Sequence, residues 1–218
     1  TVARKIIFPV IIRTGLEAFL SKGTKNKHLI LMYHGVVNKV NTNLSVNHIS
    51  KSDFEKQLSY LQKHFNVVSL SEIFESYRLQ QQPSELTIAI TFDDGYKNIL
   101  STVEFFQKNN IKPTVFVLSN SKEANKAELG NDLEFLSIDD IKSLKKAGWT
   151  IGVHSATHAD FSKLTVDDMK REIEEPKINL EKQLGFAVPY FSYPKGWYSE
   201  SIIDFVKKSD YKAAVSME

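Results

Sequence analysis

The sequence predicts an α/β protein of the (β/α) barrel type, complete or incomplete, and three observations point to it. From Lys27 onward, short apolar runs alternate with amphipathic segments, the pattern of parallel strands joined by helical crossovers. Seven such runs fall within 218 residues, a length that suits one large domain rather than two. The central run, Thr87-Ile88-Ala89-Ile90-Thr91-Phe92, ends abruptly in Asp93-Asp94-Gly95, and barrels of this type carry their chemistry where strands end. A doubly wound open sheet is the alternative that the same alternation allows.

Taken in order, the chain begins with the apolar run Ile6 to Ile12, interrupted by Pro9 and flanked by Arg4, Lys5 and Arg13. It is far shorter than the roughly 20 residues that a membrane span requires. It is expected to pack as a helix on the outside of the domain, ended by Gly23, or to lie as a basic-flanked helix on a membrane surface. Residues 1–27 are therefore set apart as an N-terminal helical, apolar extension, and 28–218 as the single domain. Strands are expected at Leu29 to Tyr33, Asn66 to Ser69, Leu86 to Phe92, Thr114 to Leu118, Thr150 to His154, Pro189 to Tyr193 and Tyr211 to Ser216. Helix starts are expected at Ser52-Asp53-Phe54-Glu55 and Ser69-Leu70-Ser71-Glu72, which have the capping-box spacing, and helix stops at Gly148 and Gly185. Asp139-Asp140 and Asp167-Asp168 follow Ser137 and Thr165, so they read as first-turn acids that complement a helix dipole. Only Asp93-Asp94 closes a core strand.

The charge balance argues against a polyanion partner. With 28 basic and 26 acidic residues and no block of like charge, nothing resembles a nucleic-acid groove. Cysteine is absent, which excludes disulfides, thiolate metal sites and a cysteine nucleophile, and fits an oxidising or a reducing compartment alike.

Other candidate groups also fall at strand ends. His154 closes one strand and His158 follows in His154-Ser155-Ala156-Thr157-His158. If that segment turns helically, positions i and i+4 share a face and can reach one ion. Two imidazoles and a carboxylate leave open positions on a Zn²⁺-like ion, as in catalytic rather than structural sites. Loop histidines or a capped turn remain the plainer reading. A third strand end carries Pro189-Tyr190-Phe191-Ser192-Tyr193-Pro194-Lys195-Gly196-Trp197-Tyr198, whose aromatics suit either a wall for a sugar ring or ordinary core. His34 follows Leu29-Ile30-Leu31-Met32-Tyr33 and is expected on the same rim. The polar segments Val37 to His48 and Ser119 to Glu134 are long enough to form rims of a groove.

Thr91-Phe92-Asp93-Asp94-Gly95-Tyr96, His154 to His158 and Phe191-Ser192-Tyr193-Pro194-Lys195-Gly196, in this order, resemble the successive motifs of the polysaccharide deacetylase (NodB-homology, carbohydrate esterase family 4) domain. The resemblance covers about residues 28 to 216. It implies a distorted (β/α)7 barrel and metal-dependent removal of acetyl from an N-acetylated sugar. By position, Asp93 resembles the general base, and Asp94, His154 and His158 resemble the ligands of one divalent ion, zinc by default with cobalt or nickel as alternatives. Ser155 would brace the histidine loop, the backbone N–H of Lys195 would serve the oxyanion, and Tyr193, Pro194, Trp197 and Tyr198 would meet the sugar. Three departures stand out. Ser192 takes the place of an arginine that orients the base in many members, and Lys195 stands where an aromatic is usual. No C-terminal Leu-x-His is present either, but Leu31-Met32-Tyr33-His34-Gly35-Val36 resembles the circularly permuted branch that acts on poly-N-acetylglucosamine, in which an N-terminal histidine is the general acid.

Three functions stay open on this reading. One is an N-deacetylase using metal-activated water, with Asp93 as base and His34 as acid. The second is a sugar-binding domain with impaired chemistry, and the third a metal hydrolase of another amide or ester. The resemblance implies a cell-envelope or extracytoplasmic location, with the cytoplasm as the alternative.

Overall fold

A computed structural model describes residues 27–40, 47–124, 129–130 and 133–217. The strands are β1 (His28–Tyr33), β2 (Gly35–Val37), β3 (His48–Ser50), β4 (Asn66–Val67), β5 (Thr87–Phe92), β6 (Thr114–Val117), β7 (Thr150–Val153), β8 (Tyr190–Ser192) and β9 (Ala213–Val215). The α-helices among the described residues are α1 (Lys51–His64), α2 (Leu70–Arg78), α3 (Val103–Lys108), α4 (Ile138–Lys146), α5 (Val166–Met169), α6 (Glu175–Leu184) and α7 (Glu200–Lys208). The N-terminal extension expected over residues 1–27 lies outside the described residues except for Lys27. Among the described residues no helix is long and apolar enough to cross a membrane.

Each of the seven expected strands is present, and together they form one curled, all-parallel sheet in the order β1-β5-β6-β7-β8-β9, with β4 paired to the start of β5. One feature agrees with the distorted barrel that was expected, and one differs from expectation. First, among the described residues β1 and β9 do not pair, so the curl is a half-barrel with a seam. A cavity of about 250 Å³ lies there, lined by Ile30 and Met32 on one side and Val215 and Met217 on the other. Second, the expected polar rim from Val37 to His48 begins and ends in a small parallel pair, β2 with β3. His48 is buried there rather than looped out. Its ring packs where a Cβ on Gly35 would come within 2.2 Å, and it lies 5.0 Å from the Tyr96 ring.

Strand alternation sorts the core into two faces. Ile88, Ile90 and Phe92 join Phe54, Leu58 and Leu61 of α1, Phe106 of α3 and Trp149 in the larger cluster. Ala89, Phe116 and Tyr190 point the other way, into the curl, against Leu70 and Ile73 of α2. Burying a side chain of the Leu, Ile or Phe class contributes about 1.5–3 kcal/mol, so these clusters carry most of what holds the curl.

The caps follow the sequence with one correction. Ser69, Ser137 and Thr165 form capping boxes with Glu72, Asp140 and Asp168. Helix α1, however, is capped by Ser50, whose hydroxyl accepts from the Asp53 N–H, and not by Ser52. Ser50 and Asp53 offer the same three-residue spacing two positions earlier, so the helix gains part of a turn. Gly185 ends α6 in the left-handed conformation at φ 77°.

Candidate active site

Inward alternation continues one step past several strands, and that step delivers the site. In β5 the inward positions Ala89 and Thr91 lead to Asp93, in β7 Gly152 leads to His154, in β8 Tyr190 leads to Ser192, and in β1 Ile30 and Met32 lead to His34. The register Tyr33↔Phe92, extended by the Asp93 N–H donating to the Tyr33 carbonyl at 2.9 Å, sets His34 level with Asp93. Beyond Asp93 the backbone turns sharply, with Asp94 at φ 68° and Gly95 at φ 70°. This turn swings the second carboxylate away from the strand direction and toward the histidine loop. Ser155 (φ 71°), His158 (φ 60°) and Lys195 (φ 57°) are also left-handed. Left-handed non-glycine residues are costly and gather where a site needs them, and here Asp94, Ser155, His158 and Lys195 all line or brace one cavity.

Asp94 stands at the centre. Its Oδ1 lies 3.4 Å from His154 Nε2 and 3.6 Å from His158 Nε2, and the three ligand atoms all lie within 4.8 Å of one another. Two atoms each about 2.1 Å from one tetrahedral ion stand roughly 3.4 Å apart, so this spacing fits a shared cation. His154 Nδ1 donates to the Ser192 carbonyl at 2.9 Å, which leaves its Nε2 lone pair facing Asp94. Burial holds the His154 imidazole down to about 4, against the opposing pull of that hydrogen bond, so the ring is neutral and ready to ligate. His158 is set by its own backbone, whose N–H donates to Ser155 Oγ at 2.9 Å.

Asp93 and His34 approach this set from different members. Asp93 Oδ2 is 3.9 Å from His154 Nε2 and accepts from Ser192 Oγ at 3.0 Å, while its Oδ1 has no hydrogen-bond partner among the described residues. Without a cation beside it, burial pushes the Asp93 carboxyl up to about 7, only partly offset by the Ser192 hydroxyl. His34 Nε2 is 3.9 Å from Asp94 Oδ2. His34, Asp93, Asp94, His154, His158 and Lys195 line one cavity of about 150 Å³.

Of the candidates for meeting the sugar, Tyr193 lines this cavity, and Pro194 is buried in the turn behind it. Trp197 and Tyr198 are about half exposed and line instead a larger cavity of about 490 Å³ with Phe161, Leu164, Met169 and Ile202, which meets the first at Gly196. The candidate carboxylates and histidines all line the smaller cavity.

Two functional contacts escape sequence reasoning. Ser192 reads as a missing arginine, yet it holds both Asp93 and His154. Glu172 reads as one acid of a charged helix face, yet it is 1% exposed and accepts from the backbone N–H groups of Ala156 and Thr157. Only its place three residues after Met169 and next to Ile173 hints at an inward face.

Comparison with known proteins bears on the whole arrangement. A family model described as polysaccharide deacetylase matches residues 80–214, a span that includes Asp93 to Lys195 and leaves His34 outside it. YxkH of Bacillus subtilis (strain 168), named for the same family, is 25% identical over 191 residues, covering 87% of this chain and 64% of YxkH. The peptidoglycan-N-acetylmuramic acid deacetylase PdaA of the same organism is 28% identical over 171 residues, covering 77% of this chain and 56% of PdaA. The chain thus spans less than two thirds of either relative. The Streptococcus pyogenes deacetylase PplD, solved in complex with acetate, shares the fold with a TM-score of 0.74 at 23% identity, over 89% of this chain and 85% of PplD. With more than half its length inside the family match and the same curled sheet carrying it, this chain belongs to the polysaccharide deacetylase family.

Proposed function

We propose that the chain is a metal-dependent N-deacetylase acting on an N-acetylated glycan, poly-N-acetylglucosamine or a related cell-envelope polymer. The observation that carries this reading is the convergence of Asp94, His154 and His158 on one point, with Asp93 and His34 beside them. Those three residues hold one divalent ion, zinc by preference and cobalt or nickel as alternatives. An ion held there would supply Lewis acidity to the acetyl carbonyl and lower the pKa of a water far enough for hydroxide to form near neutral pH. Asp93 takes the water's proton. A neighbouring cation favours its carboxylate form and so opposes the upward push of burial. The backbone N–H of Lys195 donates to the oxyanion that attack creates, a contact worth about 3–4 kcal/mol in comparable sites. His34, whose Nε2 lies 3.9 Å from Asp94 Oδ2, gives a proton to the leaving nitrogen. Ser155 braces the histidine loop. Tyr193, Trp197 and Tyr198 offer the sugar an aromatic wall running from one cavity to the next, with Pro194 buried in the turn that holds them.

The substrate class is supported by the name of PdaA, which acts on an N-acetylated glycan of the envelope. Work on such a polymer implies an envelope location, with residues 1–27 as a peripheral membrane contact. The test is acetate release from N-acetylglucosamine oligomers, measured together with oligomer binding. Acetate appearing one for one with free amines is the expected result. Binding without acetate would make the chain a sugar-binding domain, and acetate from other amides or esters alone would make it a different metal hydrolase.

A further inference from the structure

The helix that follows the histidine loop is not regular. Between α5 and α6, residues Lys170–Glu174 form a π-helical turn, in which the Glu175 N–H donates to the Lys170 carbonyl. Pro176 explains it. A proline ring clashes with the carbonyl four residues earlier, here that of Glu172, and has no N–H to donate to it, so widening the turn by one residue relieves the conflict. π turns of this kind frequently occur at functional sites.

The side chain carried by that turn is also out of the ordinary. Glu172 is buried, and its Oε2 accepts from Ala156 N at 3.2 Å and from Thr157 N at 2.9 Å, while Oε1 accepts from Thr157 Oγ1 at 3.0 Å. Arg171 Nε lies 3.6 Å from Oε1 at the solvent edge. Ala156 and Thr157 are two of the three residues between His154 and His158. Their loop is left-handed at Ser155 and at His158, so it needs an external hold to persist. Contacts from the other side complete the clamp, with Ser119 N and Asn120 N donating to the carbonyls of Ser155 and Ala156.

Building on the metal-dependent reading of the site, we propose that Glu172 is a positioning residue for the metal centre, a carboxylate that fixes the spacing of His154 and His158 through the two loop amides between them. It touches neither substrate nor ion. Its contribution is that both imidazoles face Asp94 before any ion arrives.

The test is equilibrium Zn²⁺ affinity, read by competition with a chromophoric chelator, on the wild type, Asp94→Asn, Glu172→Ala and Glu172→Gln, together with the unfolding temperature of each metal-free protein. Glu172→Ala is expected to lose about 10–100-fold in affinity, the range typical of residues that orient ligands. Glu172→Gln is expected to stay near wild type, because its carboxamide oxygen can accept both amides and its NH₂ can donate to Thr157 Oγ1. A merely structural Glu172 would lower the unfolding temperature and leave the affinity of the folded protein unchanged, which would overturn the proposal. If Glu172→Ala does not fold, Glu172→Asp replaces it, since a side chain one methylene shorter cannot reach both amides, and wild-type affinity there would overturn the proposal equally. A wild type that binds Zn²⁺ no better than Asp94→Asn would instead sink the metal-dependent reading itself.

Discussion

Ser192 Oγ donates to Asp93 Oδ2 at 3.0 Å across 99 positions of sequence, and the Ser192 carbonyl accepts from His154 Nδ1 at 2.9 Å. One residue at the end of β8 therefore orients both the carboxylate assigned as base and an imidazole assigned as ligand. Ser192→Ala removes the first contact and keeps the second, because the carbonyl belongs to the backbone. Hydrogen bonds to charged groups contribute about 1.5–3 kcal/mol, so kcat is expected to fall by roughly tenfold or more while zinc affinity holds. Steady-state kinetics beside a metal titration checks this, and a loss of zinc affinity matching the loss of rate would contradict it.

Division of labour within the acid pair gives the second prediction. Asp93→Asn is expected to keep the ion and lose about 10²–10⁴ in rate, as removal of a general base does. Asp94→Asn is expected to weaken metal binding itself. Asparagine is the right replacement at Asp94, because it tolerates the left-handed backbone observed there. Metal content by elemental analysis separates the two, and an emptied site in Asp93→Asn with a filled one in Asp94→Asn would reverse the assignment.

His34 supplies the third. Its position 3.9 Å from Asp94 Oδ2 puts the ring beside the ligand set without making it part of the set. His34→Ala is expected to retain metal and fold and to lose about 10²–10⁴ in rate on an amide. An ester with a good leaving group needs little acid assistance, so its hydrolysis is expected to suffer much less. Equal losses on both substrates would remove His34 from the acid role.

A fourth prediction concerns the scaffold. In β7, a Cβ on Gly152 would stand 2.4 Å from the Phe116 ring and 3.1 Å from the Tyr190 carbonyl. Phe116 is fully buried and cannot swing away. Gly152→Ala is therefore expected to cost about 1–3 kcal/mol of stability, measured by urea unfolding, and to displace the strand that delivers His154. Unchanged stability would show that the inner face of the curl is less tightly packed than these distances require.

Much of this arrangement was legible in the sequence, for a physical reason. Period-two alternation does not stop where hydrogen bonding stops, so an acid or histidine one inward step past Thr91, Met32 or Gly152 declares its direction before any fold is known. That the barrel is distorted was expected from the resemblance, but the place of its seam, between β1 and β9, was not legible, because closure depends on strand tilt and stagger, which no local run encodes. Ser192 was visible only as a departure, since a serine carries no sign of the carboxylate it will meet 99 positions away. Glu172 sits in Lys170-Arg171-Glu172-Ile173-Glu174-Glu175, where composition suggests a solvated face and only the π turn ahead of Pro176 turns one acid inward. Ser50 prevailed over Ser52 as the cap of α1 because both have an acid three residues on, and spacing alone does not choose between them.

The central claim is that catalysis depends on an ion held by Asp94, His154 and His158, and one measurement tests it most directly. The protein is stripped with a strong chelator and dialysed, and acetate release from an N-acetylglucosamine oligomer is followed before stripping, after it, and after stoichiometric zinc is returned. The predicted result is loss of activity on stripping and recovery with one zinc per chain, with no recovery in Asp94→Asn. Full acetate release from protein shown by elemental analysis to hold no metal would contradict the account.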